Sequence, residues 1–450
     1  MSKYIYTLHD YHAIKSAEIA LNGITVLAGE NGCGKSTLSR WLYYIVNGVA
    51  NYEKNLIKSF ILEIQNIINR WDIVTRDITR VLYKSTNRQT NQFSFISHAN
   101  EQLLQLILHE GIKKDSINRT KQIFLQTLDA FSEQLFSFMK TDVPPARKER
   151  VLDFLSIKNE GINSGIQIID QFKEVNRRLV EKKTNDLYTR LQDRSVEDFY
   201  KIVENEYEEE DSSPLEIQLR EDGVDIFDNP HLSSIYNLNR AIYIDTPMAL
   251  TVGGGNIFWR ELYNIMYTSS TKEYTKEAAI LFHRIKDIIG GEVKIMDDEI
   301  FADVQELHFV SEDGLIDIDI SKAATGFKTF TYVQRLLQIG LLNENTLLLI
   351  DEPEAHLHPQ WIVEYARLLV LVNKILGTKI MIASHNPDMV AAIRAISEKE
   401  NILDSVNFYL AESNGDHKYS YKNLQGEIGE IFSSFNIALD RIKMYGAESI

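Results

Sequence analysis

Residues 29–37 read Gly-Glu-Asn-Gly-Cys-Gly-Lys-Ser-Thr and match the pattern G-x-x-x-x-G-K-[ST] at every fixed position. The preceding segment, 24–28, is short, apolar and rich in β-branched residues, which is typical of a buried strand. After the loop, apolar residues recur at helical spacing as far as Asn47-Gly48, a pair that often ends a helix. The sequence therefore predicts a strand, a loop and a helix in the order that builds a phosphate-binding loop.

The residue types of this loop suit phosphate binding. Its glycines let successive backbone N–H groups point into one concavity at the positive end of the helix. The lysine would reach the β- and γ-phosphates of a nucleotide, and the serine hydroxyl would bind Mg²⁺. The residues predicted to bind nucleotide are Gly29, Asn31, Gly32, Gly34, Lys35, Ser36 and Thr37, with Lys35 also assigned to catalysis and Ser36 to the metal.

Composition narrows the class of protein. The 450 residues carry a net charge of −16, which argues against a surface that coats nucleic acid but leaves room for a local basic groove. A hydrophobic fraction of 44% is enough for a large core. The single cysteine, Cys33, rules out an internal disulfide framework. With no long apolar window and no signal-peptide pattern at the N-terminus, we expect a cytoplasmic protein with no membrane contact.

The pattern changes near residue 51, after which apolar residues recur at three- and four-residue steps as far as residue 200. Strand character returns at 241–245. We therefore predict a head formed by 1–50 and 240–450, interrupted by a mainly helical insertion at 51–239 that serves oligomerisation, partner binding or nucleic-acid contact. Within the insertion, the acidic run 204–211 is expected to be an exposed loop.

Two basic groups in the insertion allow two interpretations. They could contact nucleic-acid phosphates or an acidic partner, or they could form solvated faces balanced by neighbouring carboxylates, which we prefer. The groups are Arg76, Arg80, Lys84 and Arg88, and Lys173, Arg177, Arg178, Lys182 and Lys183.

Two later strands end in polar residues. Residues 347–350 lead into Asp351 and Glu352, which are predicted to hold Mg²⁺ and to activate the attacking water, respectively. Residues 380–384 lead into His385, which could contact the γ-phosphate or that water. A zinc site that includes His356 and His358 is disfavoured, because no Cys and no further His has a suitable spacing.

Taken together, these motifs resemble the ATP-binding-cassette (ABC) ATPase head shared by SMC, RecF and OLD-type proteins. The motifs are GENGCGKST, LLLIDEPEAHLHP, IASHNP and a weaker signature-like segment at 323–328. The resemblance implies an α/β, ABC-type P-loop NTPase head, with a mixed sheet core, antiparallel strands and a large helical insertion. It implies ATP and Mg²⁺ as cofactors.

The resemblance also implies that two heads pair around two ATP molecules. Thr325 and Gly326 would contact the γ-phosphate of the neighbouring head, although Ala324 stands where such proteins commonly carry serine. Residues 354–358 would be a D-loop at the dimer interface, and a Q-loop is expected after residue 245. The layout is similar to that of stand-alone ATPase subunits of bacterial antiphage defence systems of the Septu (PtuA-like) type.

On this resemblance we expect a homo-oligomeric, ATP-hydrolysing switch that controls a separate effector, a nuclease or toxin. The segment after His385 is too short for the nuclease domain that follows the head in OLD-family proteins. The alternative is a DNA-binding genome-maintenance ATPase of the RecF/SMC type. A transporter subunit is disfavoured by the incomplete signature and by the long segment between loop and signature.

Overall fold

The computed structural model describes residues 2–82, 95–108, 111–155, 165–209, 211–245, 257–268, 275–297 and 305–432. The chain forms two compact units, one of residues 1–50 with 199–450 and the other of residues 51–198.

The strands are β1 (Tyr4–Tyr11), β2 (Ile14–Ala20), β3 (Ile24–Ala28), β4 (Glu216–Glu221), β5 (Val224–Asp225), β6 (Phe227–Asp228), β7 (His231–Leu232), β8 (Arg240–Ile244), β9 (Gly291–Asp297), β10 (Gln305–Ser311), β11 (Asp317–Asp319), β12 (Thr346–Asp351), β13 (Lys379–Ser384), β14 (Val406–Ser413) and β15 (Tyr419–Asn423).

The helices are α1 (Lys35–Ala50), α2 (Tyr52–Leu82), α3 (Phe95–Leu108), α4 (Asp115–Met139), α5 (Pro145–Phe154), α6 (Gly165–Asp193), α7 (Val196–Tyr207), α8 (Ile257–Met266), α9 (Lys276–Ile289), α10 (Thr325–Gln338), α11 (Pro359–Leu376) and α12 (Pro387–Lys399), with short 3₁₀ turns at Ile320–Lys322 and Leu403–Ser405. Of the helices in the described ranges, none is both long and apolar enough to cross a membrane.

The first unit is built on a ten-stranded sheet in the order β5-β4-β1-β2-β15-β14-β3-β13-β12-β8. Strands β14, β3, β13, β12 and β8 pair with one another in parallel, whereas β14 pairs antiparallel with β15, and β1 pairs antiparallel with β2 and β4. β3, β12 and β13 are buried along their whole length, as expected for central parallel strands. This arrangement confirms the predicted fold class, a mixed sheet with an antiparallel extension.

The register of the sheet determines where the site lies. Ala28 at the end of β3 pairs with Ser384 at the end of β13, and Ala383 pairs with Asp351 at the end of β12. The carboxyl ends of three neighbouring parallel strands therefore meet at one edge, where α/β sheets bind ligands. Segments far apart in the sequence, at 29–37 and 351–385, are brought together by this pairing.

In the structure the second unit ends at residue 198, whereas the insertion predicted from the sequence ends at residue 239. β4 pairs with β1 over six residues, so this part of the predicted insertion belongs to the ten-stranded sheet. Glu221 at its end accepts hydrogen bonds from the Tyr4 hydroxyl at 2.5 Å and the Tyr236 backbone N–H at 2.7 Å. The exposed-loop prediction for 204–211 is also corrected, since α7 continues to Tyr207.

The second unit, residues 51–198, is helical, with α4 packed against both α2 and α6. Trp71 stacks on Phe131 in its core, with ring centroids 5.3 Å apart. Such an aromatic pair adds to the free energy already gained by burying both rings.

Carboxylates of the second unit pair with many of its basic side chains. Asp129 pairs with both Lys173 and Arg177, and Arg178 pairs with Glu174. Further pairs are Arg76 with Asp72 and Lys183 with Glu63. Lys84, Arg88 and the side chain of Arg80 lie outside the described part of the chain. The described pairs fit the solvated-face interpretation.

A separate antiparallel sheet, in the order β11-β10-β9, contains a histidine held between two carboxylates. His308 Nδ1 lies 2.6 Å from Asp317 Oδ1, and Nε2 lies 3.0 Å from Glu306 Oε2. Partial burial alone would lower the pKa of His308, but the hydrogen bonds and charges of Glu306 and Asp317 outweigh it and raise the pKa above 6.5. The protonated form is therefore stabilised by folding.

We predict that His308→Gln lowers the melting temperature more at pH 6 than at pH 9. The folded pKa lies above the unfolded value, so the stabilisation is complete below pH 6.5 and is lost as the pH rises through the folded pKa. The expected loss at pH 6 is small, about 1–2 °C. Thermal denaturation at both pH values measures it, with the exposed His283→Gln as control. An equal loss at both pH values would contradict the prediction.

Candidate active site

In the loop between β3 and α1, the backbone at position 34 has a conformation that only glycine tolerates. Gly34 has φ +96°, and a Cβ there would lie 2.7 Å from Ile14 Cγ1. A larger residue would therefore meet both backbone strain and a steric clash. Lys35 is buried, and its Nζ donates to the carbonyl oxygens of Gly29 at 2.9 Å and Glu30 at 2.8 Å. These bonds hold the ammonium group inside the curve of the loop.

The inner side of the loop is fixed by the antiparallel part of the sheet. The Tyr421 hydroxyl on β15 donates to the Cys33 carbonyl at 3.1 Å, and the Cys33 side chain is fully buried. Asn31, Gly32 and Ser36 on the outer side are exposed. These three predicted nucleotide-binding residues therefore face solvent, whereas Gly29 and Lys35 are buried.

Asp351, at the end of β12, is the buried carboxylate beside the loop. Ser39 of α1 donates to its Oδ1 at 2.9 Å and Tyr243 of β8 donates to its Oδ2 at 2.7 Å, while the nearby Ser36 hydroxyl also favours its charged form. Burial raises the pKa of Asp351, and the three hydroxyl groups act in the opposite direction by stabilising the charged form. The predicted metal residues Ser36 and Asp351 are thus neighbours at this site.

Aromatic side chains pack against the Tyr243 ring and hold it in place. The ring meets Phe258 of α8 edge to face at 4.7 Å, and Phe258 in turn stacks with Tyr44 at 5.8 Å. The Arg40 guanidinium lies 5.6 Å from the Phe258 ring centroid. α1, which carries the lysine and serines of the loop, is therefore packed against the strand and helix that position the Tyr243 hydroxyl.

Glu352 and His385 stand together at the ends of β12 and β13. Glu352 has φ +49°, a left-handed conformation, and its N–H donates to the Ala383 carbonyl at 2.8 Å. Its side chain is 42% exposed, and its Oε1 lies 3.4 Å from His385 Nδ1. The backbone turn thus directs a carboxylate out of the sheet toward solvent, next to the histidine.

Glu354 is a third carboxylate at this edge, and its Oε1 lies 3.6 Å from the same His385 Nδ1. Its side chain is only 3% exposed, and its Oε1 accepts hydrogen bonds from Ser384 Oγ at 2.8 Å and the His385 N–H at 3.1 Å. Burial raises the pKa of Glu354, opposed by these hydrogen bonds and by the His385 charge. The resemblance places this residue in an interface loop, yet its side chain lies inside its own unit.

Thr325 and Gly326 occupy the first turn of α10, where Ala324 is the N-cap and makes no side-chain cap hydrogen bond. A Cβ at Gly326 would lie 3.0 Å from Trp361, so this turn packs closely on α11. The Q-loop expected after residue 245 lies outside the described residues.

The two histidines weighed for zinc are both exposed. His358 also caps α11, with its Nδ1 accepting from the Gln360 N–H at 3.4 Å. Within the described ranges, no group of three or more His, Cys, Asp or Glu is arranged to hold a metal ion.

Ser39 and Tyr243 were not predicted from the sequence to belong to this site, and Glu354 was placed only in an interface loop. Ser39 follows Ser36 by three residues and lies on the same face of α1, which is a usable signal. Tyr243 reaches Asp351 only because β8 pairs with β12, and no local pattern indicates this pairing.

Residues 7–390 match the family model described as AAA ATPase domain. The chain belongs to the AAA ATPase domain family. The match covers the loop, both strand-end acids and His385, so the residues described above lie within the shared domain.

Several solved structures resemble this AAA ATPase domain protein weakly. An Smc head domain with an extended coiled coil, bound to the C-terminal domain of ScpA and derived from Pyrococcus furiosus, has 11% identity and a TM-score of 0.34, with coverage of 98% of this chain and 100% of the other. An SMC head domain from Thermotoga maritima has 10% identity and a TM-score of 0.27, with coverage of 46% and 65%. A bacterial Atm1-family ABC exporter with ATP bound has 12% identity and a TM-score of 0.23, with coverage of 85% and 69%. No curated protein matches the sequence.

We predict that Gly34→Ala weakens ATP binding about tenfold or more, because strain of roughly 1–3 kcal/mol would be relieved only by distorting the loop. Titration with a fluorescent ATP analogue measures the affinity. Gly340→Ala is the matched control, since Gly340 has φ +68° but its Cβ would meet nothing within 4 Å. Affinity equal to that of the wild type in Gly34→Ala would contradict the prediction.

Proposed function

We propose that this protein binds ATP with Mg²⁺ and hydrolyses it in paired heads, as a switch that controls a separate effector. The observation that carries the proposal is the convergence of a complete phosphate loop, a buried carboxylate and an exposed carboxylate–histidine pair at one sheet edge. Phosphoryl transfer needs mainly positioning and charge stabilisation, and these groups supply both.

The residues beside the loop fit Mg²⁺. The Ser36 hydroxyl and the Asp351 carboxylate provide only oxygen atoms, the donors that Mg²⁺ prefers. Tyr243 and Ser39 donate hydrogen bonds to the Asp351 carboxylate and so fix its orientation, as residues that surround the ligands of metal sites commonly do. When bound, Mg²⁺ would neutralise charge on the phosphate oxygens.

Lys35 and Glu352 would perform complementary tasks. Lys35 would exchange its loop carbonyl partners for the β- and γ-phosphate oxygens. Glu352, turned toward solvent by its left-handed backbone, would accept a proton from the attacking water. His385 beside it would contact that water or the γ-phosphate.

Pairing of heads would complete the site. The first turn of α10 presents Thr325 and backbone N–H groups, a suitable end for contact with a partner's phosphate. His356 and His358 are exposed and available to such a partner. We assign oligomer or effector contacts to the helical unit 51–198.

We favour control of an effector in bacterial antiphage defence over direct DNA binding. The defence role rests on the similarity of motif layout to stand-alone defence ATPase subunits. DNA binding has less support, because the net charge is −16 and several basic side chains on α6 already pair with carboxylates.

We predict that Glu352→Gln reduces phosphate release on the order of 10²-fold or more, because the amide cannot accept the proton from water. ATP–Mg²⁺ should then hold the heads together, so native mass spectrometry should show a dimer or larger assembly. Glu364→Gln, an exposed substitution on α11, is the control. If Glu352→Gln releases phosphate at the wild-type rate and has the same mass with and without ATP–Mg²⁺, the pairing mechanism is refuted.

We predict that Tyr243→Phe raises the Mg²⁺ concentration for half-maximal phosphate release about tenfold, as loss of a supporting hydrogen bond does at other metal sites. Tyr44→Phe is the matched control, because Tyr44 belongs to the same aromatic cluster but donates to Glu209. A similar shift in both variants would indicate a packing effect and contradict the assigned role of the Tyr243 hydroxyl.

A further inference from the structure

Glu354 is a buried carboxylate to which the proposed mechanism gives no task. Its Oε1 accepts two hydrogen bonds, from Ser384 Oγ and the His385 N–H. Ser384 Oγ also accepts from the Asn386 N–H at 3.0 Å, so the turn after β13 is tied to this carboxylate. A charged group removed from water needs such partners, and here the partners belong to the residues that carry His385.

The His385 ring lies near two carboxylates that differ in their exposure to solvent. Its Nδ1 is 3.4 Å from Glu352 Oε1 and 3.6 Å from Glu354 Oε1, and the two side chains are 42% and 3% exposed. Among the described residues, neither His385 Nδ1 nor Glu354 Oε2 has a hydrogen-bond partner. A small rotation of the ring would form a hydrogen bond with either carboxylate, since both distances are just outside the usual range.

An Nδ1 that hydrogen-bonds to an ionised carboxylate carries the hydrogen, because the oxygens of an ionised carboxylate only accept. The buried carboxylate is the stronger partner, as it is screened less by water. If Glu354 takes the Nδ1–H, the exposed Glu352 keeps its oxygens for water. If Glu354 were absent, the ring would turn to Glu352 and occupy the group that has to accept a proton.

We propose that Glu354 is a positioning residue that fixes the orientation of the His385 ring, and so keeps Glu352 available as the base. The catalytic consequence rests on the proposed ATP hydrolysis, whereas the effect on the histidine ring does not. This positioning transfers no atoms, because the proton stays on His385 Nδ1.

The test combines spectroscopy with kinetics on the full chain. Histidine is labelled with ¹⁵N, and the His385 signals are assigned by their loss in His385→Gln. Wild type without nucleotide should show the hydrogen on Nδ1, and Glu354→Gln should shift the His385 ¹⁵N signals as the ring turns toward Glu352 with its hydrogen still on Nδ1. Phosphate release should lose on the order of 10-fold to 10²-fold in kcat with little change in KM for ATP. Glu364→Gln should match wild type in both measurements.

The two readouts separate the two claims. If wild type hydrolyses ATP while Glu354→Gln leaves both the His385 signals and kcat unchanged, the positioning role is overturned and the ATPase assignment stands. If wild type releases no phosphate yet Glu354→Gln shifts the His385 signals, the positioning role stands and the proposed function fails. Should Glu354→Gln not fold, Glu354→Asp retains the charge at a shorter reach, and unchanged His385 signals in that variant would likewise overturn the role.

Discussion

The hydrogen-bonded burial of Asp351 is the constraint on which the rest of the site depends. A carboxylate this deep in a sheet is costly unless hydroxyl or N–H groups surround it. Here α1 contributes Ser36 and Ser39, and β8 contributes Tyr243. These bonds connect the phosphate loop, the central strand β12 and the edge strand β8, so the place of the loop beside the carboxylate depends on the pairing of β8 with β12.

The same sheet separates carboxylates that neighbour one another in sequence. Asp351 points into the interior, Glu352 turns outward through a left-handed backbone, and Glu354 returns to a buried position against Ser384 and His385. Three acids within four residues therefore have three environments. Such differences allow neighbouring carboxylates to perform different chemistry, because burial and hydrogen-bond partners decide whether each one favours its charged or its neutral form.

The sequence predicts features that lie within one short segment, but not contacts between segments that are distant in the chain. The phosphate loop, Asp351, Glu352 and His385 lie at strand ends that apolar runs reveal, and the structure brings them together. β4 was missed because its sequence, Glu-Ile-Gln-Leu-Arg-Glu, is short and mostly polar, and only pairing with β1 defines it. The contacts of Tyr243 and Glu354 depend on the register of strands distant in the chain, which no local pattern contains.

A structure of the protein with a non-hydrolysable ATP analogue and Mg²⁺ would show directly whether these residues form one nucleotide site. We expect the β- and γ-phosphates inside the loop 29–37, the metal between the Ser36 hydroxyl and the Asp351 carboxylate, and Glu352 facing the γ-phosphate. A nucleotide bound elsewhere, or a metal held away from both Ser36 and Asp351, would contradict this expectation.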